Sequence, residues 1–66
     1  MQIILNGQPR DCAVGATLTV LLAATGHAQR RVAVEVNREI VPRSQHAERV
    51  LAEGDRVEII HAVGGG

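Results

Sequence analysis

The residues best suited to chemistry in this chain are its last four, Val63, Gly64, Gly65 and Gly66, and the chemistry they suit is done to a carboxylate. Glycine has no side chain to obstruct a narrow channel and reaches φ values that other residues avoid, so such a run can be threaded into a confined site. A packing role is disfavoured, because ordering a backbone residue costs roughly 1–2 kcal/mol and glycine buries no side chain to offset it. The plain alternative is a frayed end, since termini are commonly disordered. Against that, only Ala62 and Val63 separate the glycines from an apolar, strand-like run, with no polar linker between.

Other reactive side chains are few and scattered. Cys12 is the one cysteine, so neither an intramolecular disulfide nor a zinc-ligand spacing is available, and we expect a small, buried thiol in a reducing compartment, most simply the cytoplasm. His27 and His46 fall in polar connections and are expected to be solvated; His61 ends a strand beside the tail. Arg43 and Arg56 read as surface charge. No nucleophile, base and orienting group occur together, and no phosphate-cradling glycine loop carries a lysine, so an enzyme is not expected. No metal site and no bound cofactor are expected either.

Composition excludes further classes. Seven basic residues, all arginine, balance seven acids, and there is no aromatic ring. Nucleic-acid binding lacks both the net positive surface and the stacking platforms it ordinarily needs. The absence of lysine suits a carrier whose acylated end must not be captured by an amine, although an Arg-, Ala- and Val-rich composition explains it as well. No apolar run approaches the roughly 20 residues of a membrane span, and Met1-Gln2-Ile3 lacks the basic start of a signal peptide.

The elements that must present the tail are legible from periodicity. Residues 1–6 alternate, placing Met1, Ile3 and Leu5 on one face and Gln2, Ile4 and Asn6 on the other. Asn6-Gly7 is a strong signal for a type I′ hairpin. The return strand, about Gln8 to Cys12, is held at an edge by Pro9. Gly15 turns the chain, Thr17 caps a helix whose Leu18, Leu21, Leu22 and Thr25 share a face, and Gly26 stops it. Two turns are marginal alone in water, so that leucine face must pack on a sheet.

Val32-Ala33-Val34-Glu35-Val36 alternates as a third strand, Asn37-Arg38 turns, and a short fourth strand, Glu39-Ile40-Val41, stops at Pro42. Arg38 suits a positive-φ position less well than glycine does. Residues 43–51 are open between a loop and one helical turn, with Val50 and Leu51 as expected anchors. Glu53-Gly54-Asp55 turns into a last strand at 56–61. Five strands and one helix suit an α+β domain with a mixed sheet and the helix across one face. At 66 residues its core is marginal for a single domain.

These features together resemble the sulfur carrier family of thiamine biosynthesis, ThiS. The likeness is carried by Met1-Gln2-Ile3 through Asn6-Gly7, Gly15-Ala16-Thr17, Val36-Asn37, Ile40-Val41-Pro42-Arg43, Glu53-Gly54-Asp55 and the terminal Gly65-Gly66. Arg38, where many relatives carry glycine, is a mild departure that touches a turn and not the tail. The resemblance implies the ubiquitin-like β-grasp strand order, which periodicity alone leaves open, with a domain over 1–61 and a flexible glycine tail over 62–66.

It also implies the chemistry. An ATP- and magnesium-using adenylyltransferase of the ubiquitin-activating type adenylates Gly66, a cysteine persulfide supplies sulfur, and thiazole synthase receives it from the resulting thiocarboxylate. Extended, residues 62–66 reach about 16–18 Å, enough to place Gly66 in a buried pocket with Val63, Gly64 and Gly65 in the channel.

Ordering five residues costs on the order of 5–10 kcal/mol, and roughly 200–400 Å² of apolar burial offsets it at about 25 cal/mol per Å². With Ile3, Leu5, Val57 and Ile59 facing the helix, Ile4 and Ile60 face away on neighbouring strands and are the expected partner-docking patch. The readings left beside this one are a sulfur carrier for molybdopterin synthesis, a ubiquitin-like modifier, and an interaction module with inert glycines.

Overall fold

The structure, a computed structural model, describes residues 1–61; the glycine tail expected over 62–66 lies outside the described residues. Strand β1 (Gln2–Leu5) turns through Asn6-Gly7 into antiparallel β2 (Gln8–Asp11), with Leu5 opposite Gln8. Positive φ at both turn residues, 49° and 82°, is the type I′ geometry whose twist matches that of the strands it joins. The β2 ladder ends at Asp11, while the Cys12 amide still donates to the Met1 carbonyl at 2.8 Å. Cys12 itself is half-buried at the core's margin, since its strand is at the edge of the sheet.

Helix α1 (Leu18–Ala24) starts where expected, with the Thr17 hydroxyl accepting from the Val20 amide at 3.3 Å. Its far end is closed by the backbone. Gly26, at φ 81°, donates to the Ala23 carbonyl at 3.3 Å and His27 to the Leu22 carbonyl at 2.7 Å, a Schellman pair that satisfies two otherwise orphaned acceptors. The buried face is Leu18, Leu21 and Leu22, packed with Ile3, Val34, Val36, Val57 and Ile59 from the sheet. Leu5 is only half-buried against the same cluster.

Strand β3 (Val32–Val36) pairs through the Asn37-Arg38 turn with β4 (Glu39–Ile40), and β5 (Arg56–His61) is the last strand. The order across the sheet is β2-β1-β5-β3-β4. Among the described residues only the central β1–β5 pair is parallel; the rest are antiparallel. This is the mixed five-stranded β-grasp sheet with one helix that the resemblance implies. Val41 is the buried end of the β4 segment, its amide donating to the Val34 carbonyl at 2.9 Å before Pro42 ends the pairing.

Residues 43–51 resolve the choice left open. Arg43–Gln45 form a 3-10 turn, after which Thr17 and Val50 make an isolated antiparallel bridge that clips this segment to the start of α1. Extended backbone at the bridge sends successive side chains to opposite faces, so only one of the two expected anchors can reach the core. Leu51 is buried and Val50 is 55% exposed. His46, expected in solvent, is 6% exposed, because the turn folds its ring inward to where Nε2 donates to the Val41 carbonyl at 2.9 Å. That carbonyl is thereby satisfied by a side chain.

Candidate functional site

The described part of the site is the strand that leads into the tail and whatever holds that strand. Strand β5 carries Val57 and Ile59 into the core and leaves Arg56, Glu58, Ile60 and His61 exposed. It is held on both sides by asparagine side chains. Asn6 Oδ1 accepts from the Ile59 amide at 2.8 Å, and Asn37 Oδ1 accepts from the Arg56 amide at 3.0 Å. Asn37 Nδ2 also donates to Asp55 Oδ1 at 3.0 Å, and the Asn37 amide to the Arg56 carbonyl at 2.7 Å.

Each asparagine is the first residue of a two-residue hairpin loop at positive φ. Asparagine tolerates that conformation and carries an amide that can close a neighbouring ladder. Neither clamp was anticipated from the sequence, where both residues read only as turns. The available signal was the repetition of Asn at the same loop position.

The turn before β5 is tied to β1. Gly54, at φ 82°, donates to the Gln2 carbonyl at 2.8 Å, and the Ile4 amide donates to the Asp55 carbonyl at 2.9 Å. Asp55 Oδ2 accepts from the Ala52 amide at 2.8 Å and the Asp55 amide donates to the Ala52 carbonyl at 3.0 Å, a reciprocal pair that closes the turn at the entry to the strand. The β5 strand is thus anchored before its first residue and again at Ile59.

Ile4 and Ile60 lie on the sheet face away from α1, on neighbouring strands, as expected. The parallel register pairs Ile4 with Arg56, so Ile60 is four positions further on (56 to 60), about 13 Å at 3.3 Å per residue. They sit toward opposite ends of one face and do not touch across a rung. Ile60 is 48% exposed beside Ala33, and Ile4 is half-buried. Between them, Glu58 stands opposite Glu35, which stands opposite Ile40, the last 60% exposed. Like charges directly opposite on a sheet are destabilising.

At the end of β5, the His61 ring lies 5.0 Å from that of His27, tilted by 55°. His27 is half-buried where solvent was expected. The Thr25 hydroxyl donates to the Leu21 carbonyl at 2.9 Å, so it accepts from His27 Nδ1 at 2.8 Å. Among the described residues no group of three or more His, Cys, Asp or Glu is placed to hold a metal ion, and no helix is long and apolar enough to cross a membrane. Gly66 and the channel-filling Val63, Gly64 and Gly65 lie outside the described residues.

Comparison with known proteins agrees with this architecture. The model of the ThiS family matches residues 3–66. Over its full length the chain is 36% identical to the sulfur carrier protein ThiS of Escherichia coli K12, of which it also covers 100%. It is 44% identical to a thiazole synthase of Magnetococcus marinus, but spans only 20% of that protein. The crystal structure of a thiamine biosynthesis protein from Geobacter metallireducens superposes with a TM-score of 0.87 at 35% identity, covering 100% of both chains.

Proposed function

Because the chain belongs to the ThiS family, we propose that it is a sulfur carrier of thiamine biosynthesis and acts as a substrate of other enzymes, its own residues catalysing nothing. The observation that carries this reading is the end-to-end match to a sulfur carrier, which spans all 66 residues of both chains and takes in the glycines. The group that carries sulfur is the carboxylate of Gly66. As a carboxylate it is a poor electrophile. Adenylation by an ATP- and magnesium-dependent enzyme makes it a mixed anhydride with loss of pyrophosphate; the outer sulfur of a persulfide then displaces AMP to give an acyl disulfide. Attack of a second thiol on the donor's sulfur releases the thiocarboxylate and leaves the two thiols joined as a disulfide.

The receiving enzyme is a thiazole synthase. Relatives bearing that name contain a segment 44% and 41% identical to this chain, which supports a working association between the two kinds of domain. Val63, Gly64 and Gly65 fill the channel that leads to each partner's active centre. The sheet face bearing Ile4 and Ile60 docks the globule, with the carboxylate pair Glu35–Glu58 between them meeting a partner cation.

Incubation with ATP, magnesium, an activating enzyme and a persulfide donor, followed by intact mass measurement, tests the reading. Exchange of one oxygen for sulfur at Gly66 is expected. Attachment to a lysine of another protein instead means a modifier, and an unchanged mass with an enzyme active on a known carrier means the glycines are inert.

A further inference from the structure

A cavity of about 220 Å³ opens between α1, the connection from α1 to β3, and the 3-10 turn. It is smaller than the roughly 300–1,000 Å³ of sites for drug-sized ligands. Leu22 and Val32 line its apolar part, and Arg30, Arg43, His27 and His46 its polar part, with no carboxylate among the described lining residues. In a chain with as many acids as bases, this is a local concentration of one charge. Neither Arg30 nor Arg43 has an ion-pair partner among the described residues.

His46 is the built part of the site. The Val41 carbonyl takes the proton on Nε2, at 2.9 Å. The other ring nitrogen, Nδ1, has no partner among the described residues, and since no buried side-chain nitrogen or oxygen is left unsatisfied there, it stays accessible on a residue that lines the cavity. His27 also lines the cavity, its Nδ1 engaged by Thr25 and its Nε2 left over. Each imidazole therefore keeps one nitrogen that can accept from a P–OH when neutral and donate to an oxygen when protonated. The guanidiniums supply forked donors that match an oxyanion.

We propose that this cavity binds a phosphate group, free or carried on a short organic body that lies on Leu22 and Val32. The site is on the helix side of the molecule and requires no sulfur transfer.

The full-length chain, labelled with nitrogen-15, is titrated with inorganic phosphate and separately with phenyl phosphate, ionic strength being held with sodium chloride. Saturable shifts are expected at the amides of Arg30, Arg43 and His46. The R30Q/R43Q pair of substitutions, both at exposed positions, weakens binding roughly tenfold or more, while R38Q on the β3–β4 turn leaves it unchanged. Tighter binding of phenyl phosphate identifies an ester as the ligand, and equal binding identifies the free anion. Shifts that follow sodium chloride alone, that centre elsewhere, or that persist in the double variant overturn the site.

Discussion

Asn6 and Asn37 show how much a turn residue can contribute beyond its turn. Each accepts an amide proton from β5, at 2.8 Å and 3.0 Å. Asn6→Ala leaves the Ile59 amide unpaired in a part-buried setting and places a less tolerant residue at φ 49°. Leaving such a donor unsatisfied costs about 1–3 kcal/mol. We expect a loss of that size in urea denaturation, with Asn6→Asp recovering most of it because a carboxylate oxygen still accepts; an unchanged midpoint for Asn6→Ala would remove the clamp. Arg38 is the opposite case. It sits at φ 70°, where an L-residue is disfavoured by roughly 1–2 kcal/mol, so Arg38→Gly should raise stability by up to about 1 kcal/mol after glycine's greater unfolded-state entropy is subtracted. No gain in melting temperature would mean the turn is not strained.

At the scale of elements, α1 depends on what it packs against. Seven residues are too few for a helix to persist alone in water. The three buried leucines hold it to the sheet, the Thr17 cap and the Gly26 stop define its ends, and the bridge from Thr17 to Val50 holds its entrance. Leu21→Asp should abolish folding as seen by circular dichroism. A domain of this length has on the order of 3–10 kcal/mol in hand, and an unpaired carboxylate in the core removes at least several. A cooperative, near-native melt for that variant would mean the helix is not integral. His46→Ala is milder: it unsatisfies the Val41 carbonyl and opens a cavity, a loss of about 1–3 kcal/mol read from a denaturation midpoint.

For the molecule as a whole, the parallel β1–β5 pair places both terminal strands in the middle of the sheet, so the strand leading into the tail is among the best anchored in the fold. On the function proposed above, that anchoring would let a partner act on residues 62–66 without deforming the domain. Ile60→Glu should therefore weaken binding to the activating enzyme and to thiazole synthase by roughly tenfold, the loss expected when an apolar side chain of this size is excluded from an interface. Its melting temperature should stay within a few degrees of the parent, because the side chain is half exposed already. Equal affinity in calorimetry would discard the docking face. Removing Gly65 and Gly66 should abolish the sulfur mass gain and leave the melt unchanged, separating the tail's chemistry from the globule's stability.

The residues alone determined what is local. Alternation placed Ile3, Val34, Val36, Val57 and Ile59 inside, leucine spacing placed α1, and Asn-Gly, Thr17 and Gly26 marked the turn, the start and the stop, because each of these follows from backbone geometry over a few neighbours. The same alternation assigned Ile4 and Ile60 to one face. What tertiary structure decided is how distant segments meet. The parallel register, which separates Ile4 from Ile60 along β5, depends on the long crossover that closes the sheet. The burial of His46 depends on α1 lying against its turn, where the Thr19 amide donates to the His46 carbonyl, the exposure of Val50 on the bridge to Thr17, and the clamps by Asn6 and Asn37 on β5 arriving between two hairpins. Each is a contact between segments whose own patterns carry no record of the other, and only the closed fold brings them within hydrogen-bonding reach.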